Sequence, residues 1–158
     1  MSNLTLEQEA CNYHTFRHIE KVRNYLSKMC CILLKRSEKH DQSKMASPEV
    51  ELFTEMTPIL KDLTYGSPEY EESKARLGEA LTHHYANNRH HPEHFKNGIE
   101  DMNLIDLLEM LCDWKASSER HSDGNIRKSI ETNGPRFNMS PQLIRIFENT
   151  VDLFTDDN

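Results

Sequence analysis

The chain has 158 residues, 28% of them charged and 36% hydrophobic, with a formal net charge of -7. Its mean hydropathy is -0.77 and its pI about 5.7. That balance excludes an intrinsically disordered chain and an extended grip on nucleic-acid backbone. The length suits one domain spanning 1–158, with a core over roughly 14–154.

The opening, "MSNLTLEQEACNYH", has neither a basic n-region nor an apolar h-region. It predicts no signal peptide and a cytoplasmic location. Residues 5–40 read as a helix, with Ile19, Val22 and Leu26 on one stripe. Apolar runs are short, "MCCILL" among them, so no membrane span is expected. Cys11, Cys30, Cys31 and Cys112 form no CxxC pair and are expected as buried thiols, not a disulfide or zinc framework.

Three Ser-Pro pairs mark helix starts: Ser47-Pro48, Ser67-Pro68 and Ser140-Pro141. Serine caps a helix and proline suits its first turn. The first opens "PEVELFTEMTPILKDL", ending near Gly66, with Pro58 inside it. The second opens "PEYEESKARLGEALTHHY" as one helix. The strongest pattern is "MNLIDLLEMLCDWKASSERH", where Leu104, Leu107, Leu108 and Leu111 follow i, i+3, i+4, i+7. Ile105, Met110, Cys112 and Trp114 widen its apolar surface, which predicts a central helix. "SDGN" ends it. A short helix "IRKSIE" follows, and "TNGPRF" breaks the chain again. The third Ser-Pro pair opens "PQLIRIFENTVDLF", and the tail "TDDN" frays. With no alternating strand pattern, the fold class is all-α.

Five of nine histidines, His83, His84, His90, His91 and His94, fall within "THHYANNRHHPEHF". Imidazoles with carboxylates make mixed N/O metal sites; the competing reading is a charged helix end complementing its dipole. His40-Asp41 and His18 have the same two faces, ligand or ordinary polar residue. Asp113 lies opposite the leucine stripe, near Asp106 and Glu109. On a central helix such a polar strip needs an internal partner, and a metal is one.

The order His18, His40-Asp41, Asp113 resembles the HD superfamily of metal-dependent phosphohydrolases, defined by H…HD…D on an all-α bundle. "HDQSK" looks like the HD-x-G-K form, with serine in place of glycine, and "DWKASSER" looks like the segment after the last family aspartate. The set "HDQSKM", "HHYANNRHHPEHF" and "EMLCDWKAS" is also similar to a bacterial and phage family of uncharacterised proteins, over roughly 14–120. The resemblance implies an HD-like helical bundle in which His18, His40, Asp41 and Asp113 ligate one metal. It makes His84, His90 and His91 candidates for a second, with His83 and His94 behind them, and brings Lys44 to a substrate phosphate. It also requires the chain to reverse near "LSKMCC", because an unbroken helix would set His18 roughly 33 Å from His40.

Such a site suits one or two ions of Mn, Fe, Co, Ni or Zn. The expected function is a metal-dependent phosphohydrolase acting on a nucleotide or other small phosphate ester. Lys44 meets the phosphate, and Glu109 or Glu93 shuttles a proton. A di-iron HD-type oxygenase and a non-catalytic binding protein are the alternatives. A homodimer is the default assembly.

Overall fold

A computed structural model describes residues 4–63, 67–120 and 124–154. The expected ends near Gly66 and in "TDDN", and part of the "SDGN" break, lie outside these residues. The fold is all-α, as expected, with no strand among the described residues. Seven α-helices are described: α1 (Leu6–Lys39), α2 (Glu49–Lys61), α3 (Pro68–Ala75), α4 (Gly78–Asn87), α5 (Leu104–Ser118), α6 (Ile126–Arg136) and α7 (Pro141–Val151). No helix of the described residues is long and apolar enough to cross a membrane. By its internal contacts the chain divides into two compact units, Met1–Glu38 and Lys39–Asn158.

The first unit is α1. Thr5 and Gln8 cap it reciprocally: Gln8 Oε1 accepts from Thr5 N at 2.8 Å, and Thr5 Oγ1 accepts from Gln8 N at 3.3 Å. Glu7 and Glu9 complement the dipole in its first turn. The helix runs unbroken through "LSKMCC", so the reversal that would bring His18 back to His40 is not made. Ser27 alone offers too weak a break against good helix formers on both sides. The helix buries no residue, and the stripe of Ile19, Val22 and Leu26 is exposed. The cysteine expectation is corrected with it: all four thiols are free and exposed.

In the second unit, Met102, Met110, Leu111, Ile130, Met139, Phe147 and Val151 form the apolar core, drawn from α5, α6, α7 and their approaches. Leu111 is 1% exposed, while Leu107, Leu108 and Trp114 are partly buried. Leu104, first in the predicted stripe, is 82% exposed. Trp114 stacks on Phe137 and meets Phe147 edge-on. Met56 of α2, Leu77 just before α4 and Ala80 of α4 are also buried but do not belong to this cluster.

Ser67 and Ser140 act as expected, accepting from Tyr70 N and Leu143 N. At the first pair Pro48, not Ser47, occupies the cap position and makes no side-chain cap. The expected long helix from Pro68 is two helices, because Gly78 takes φ 22 and resets the chain's direction. The break expected at "TNGPRF" comes late. α6 continues to Arg136, and Asn138, at φ 51, ends the turn. Gly134 sits close to α7: a Cβ there would lie 3.0 Å from Ile144 Cδ1.

Candidate metal centre

The site begins where α1 stops. Asp41 follows the last turn with φ 57, in the left-handed region that helix ends usually fill with Gly or Asn. A non-glycine residue held there stores strain, and such positions concentrate at functional sites. The turn aims the Asp41 carboxylate between two sets of imidazoles. Its Oδ1 lies 3.3 Å from His84 Nε2 and 3.5 Å from His90 Nε2. Its Oδ2 lies 3.7 Å from His40 Nε2 and accepts from Lys44 Nζ at 2.7 Å.

α4 supplies His84, and the turn after it supplies His90 and His91. His84 Nε2 and His91 Nε2 are 2.9 Å apart. α5 supplies Glu109 and Asp113, one turn apart on the face opposite its leucines. Glu109 Oε1 sits between His40 Nδ1, at 3.0 Å, and His90 Nδ1, at 3.1 Å. Asp113 Oδ1 is 3.7 Å from His40 Nε2. A third carboxylate on the same helix, Asp106, shares the polar strip but does other work. It is fully buried, completes a capping box with Asn103 and is gripped by Arg89 through two nitrogens at 3.1 and 2.9 Å.

Two groups of potential ligand atoms result, each with its atoms within 4.8 Å of one another: Asp41, His84, His90 and His91, and His40, His90 and Asp113. Six side chains singled out in the sequence therefore converge: His40, Asp41, His84, His90, His91 and Asp113. Lys44 stands beside them, with its ammonium 5.1 Å above the Phe53 ring. The others fall elsewhere. His83 pairs with Glu49, His94 Nδ1 meets the Tyr85 carbonyl at 2.8 Å, and Glu93 accepts from Arg136. His18 is an exposed residue of the first unit.

The donor set fits a transition-metal ion. Asp41 Oδ1 and both ring nitrogens of His90 are buried and make no hydrogen bond among the described residues. Leaving such atoms unsatisfied costs about 1–3 kcal/mol each, and a cation would satisfy several at once. Burial, then the neighbouring His90, holds His91 far below the usual histidine range. Burial and Lys44 lower His84 as well, so both rings keep a lone pair near neutral pH. His40 is the opposite case. The carboxylates of Asp113 and Glu109 raise it to about 10 against the lowering effect of burial. Burial pushes the Asp41 carboxyl up, but Lys44 and the nearby His40 outweigh it and hold the group ionised below its usual range.

Glu49, Ser43 and Asn88 are not among the site residues expected from the sequence. Glu49 reads as an ordinary first-turn acid, yet it is fully buried against His83 and His84. Asn88, also buried, donates to Ser43 Oγ at 2.8 Å and to the His84 carbonyl at 2.9 Å. No sequence spacing distinguishes these three from surface polar residues.

A family model described as "Family of unknown function (DUF5662)" matches residues 7–153, and the chain belongs to that family. No curated protein and no solved structure matches it.

Proposed function

We propose that this family member is a metal-dependent phosphohydrolase acting on a nucleotide or another small phosphate ester, with its site at His40, Asp41, His84, His90, His91 and Asp113. One observation carries the reading: six nitrogen- and oxygen-bearing side chains from three segments of chain meet around buried atoms that nothing in the described residues satisfies. These residues would hold one or two ions of Mn, Fe, Co, Ni or Zn. Such an ion supplies an activated water near neutral pH and polarises a phosphoryl oxygen.

The chain's own residues do the rest. Asp41 presents its two oxygens to different sides of the cluster, Oδ1 to His84 and His90 and Oδ2 to His40. Glu109 bonds His40 and stands against His90, so it orients both rings, a positioning role. Lys44 is the cation beside the cluster in an otherwise acidic protein, and it meets the substrate phosphate. Its bond to Asp41 places the ammonium at the edge of the ligand set, where an anionic ester oxygen would come.

The test is elemental analysis of the purified protein, followed by a screen of nucleotides and phosphodiesters with Mn²⁺, Co²⁺ and Ni²⁺. Metal uptake that depends on Asp41, together with phosphate release, is the expected result. A protein that takes up no ion, or that binds one but cleaves no phosphate ester in the screen, refutes it.

A further inference from the structure

His84 is 2% exposed, and the residue behind it is a carboxylate with no exposure at all, Glu49. Burying an ionised carboxylate costs several kcal/mol unless it is well bonded. Glu49 meets that condition with two adjacent histidines. Its Oε1 lies 2.7 Å from His83 Nδ1, and its Oε2 lies 2.8 Å from His84 Nδ1. Each carboxylate oxygen thus faces one ring nitrogen, the arrangement of an ionised carboxylate between two donors.

An ionised carboxylate only accepts, so the ring nitrogens facing it must donate. For His84 this places the proton on Nδ1. Asn88 Nδ2 and Ser43 Oγ also approach this nitrogen, at 3.1 and 3.4 Å, but the carboxylate oxygen is nearer at 2.8 Å, and the amide has acceptors of its own in the His84 carbonyl and Ser43 Oγ, at 2.9 and 2.8 Å. The opposite nitrogen, His84 Nε2, then carries the lone pair. It is this atom that faces Asp41 Oδ1 and His91 Nε2. His83, its Nδ1 held by the other oxygen, is 40% exposed and belongs to neither ligand group.

We propose that Glu49 is a second positioning residue of the metal centre, beside Glu109: it fixes His84 with its proton on Nδ1, keeps Nε2 open for a cation, and holds His83 outside the ligand set as its second donor. The inference rests on the metal reading above and adds a residue to it. It also accounts for the split of the adjacent histidines, one inside the centre and one out.

Two measurements test it. In the metal-free wild type, two-bond ¹⁵N–¹H correlation of the histidine rings reads the His84 tautomer directly and needs no variant. The proton on Nδ1 is expected; a proton on Nε2 overturns the proposal. The second is the Co²⁺ dissociation constant of wild type and Glu49→Gln, well below the melting temperature of either. The amide has the shape of the carboxylate but cannot accept from both rings, so affinity should fall about 10–100-fold. A merely structural Glu49 would lower the metal-free melting temperature and leave that constant unchanged. If wild type binds Co²⁺ and Glu49→Gln binds it equally well, the positioning role is wrong and the metal reading stands. If wild type binds no ion, both fall.

Discussion

His40 makes the metal-free protein lose stability as pH rises through the neutral and mildly alkaline range. Its folded pKa is raised to about 10 from the ordinary 6.5 by the carboxylates of Asp113 and Glu109. A raised histidine binds its proton more tightly in the folded state. Its contribution is therefore fully present below the unfolded pKa and is lost as pH climbs through the folded one. Across that window each pH unit removes at most about 1.4 kcal/mol. The side chain is 29% exposed, so solvent screening trims the total to a few kcal/mol. Urea unfolding followed by circular dichroism, with chelator present, should be run from about pH 6.5 to about pH 9.5, spanning the shifted window. The stability difference between wild type and His40→Gln should shrink steadily with pH. With saturating Co²⁺ the trend should invert, because a ligating imidazole must first lose its proton. A difference that stays constant or grows with pH in the metal-free protein would refute the imidazolium between two carboxylates.

Three further outcomes are expected. Leu111→Ala removes a core side chain that is 1% exposed and should cost roughly 2–5 kcal/mol by denaturant unfolding; a change within about 0.5 kcal/mol would place α5 on the outside. Asp41→Ala should lose bound metal and phosphate-ester cleavage together, as measured by elemental analysis and phosphate release. Lys44→Ala should keep its metal but lose a few kcal/mol of transition-state stabilisation in kcat/KM; a full rate would remove the phosphate role.

The all-α class was legible because caps and i, i+3, i+4 spacing are local signals, and α5 and α7 begin close to where their sequences say. Convergence of six site residues was legible through residue type, since imidazoles and carboxylates clustered in a polar turn and on one strip of a helix. What failed was long-range or conformational. The stripe on α1 implied a buried helix, but periodicity shows only that a face exists, not that this chain covers it. The break at Gly78 depends on a positive φ, and the turn after α6 on another, at Asn138. Glu49 and Asp106 were unreadable for a shared reason. A buried acid and a solvated acid in the first turn of a helix are written with the same letters.

The apolar core of the second unit is assembled from α5–α7 and their approaches, whereas Met56, Leu77 and Ala80 lie apart, with α2 and α4. Between the two, Glu49 and His84 on one side face His40, Glu109 and Asp113 on the other through Asp41 and His90. The unit is thus joined along a polar seam. Unlike an oily seam, it is held by directional bonds whose loss leaves charges exposed to one another. An ion seated there would act as a rivet, joining segments as distant in sequence as His40 and Asp113, or Asp41 and His91, and adding a cross-link that the hydrophobic core does not provide. Chelation should therefore be felt unevenly. Amide exchange should accelerate in α2 and α4, while the amides of α5–α7 keep their protection.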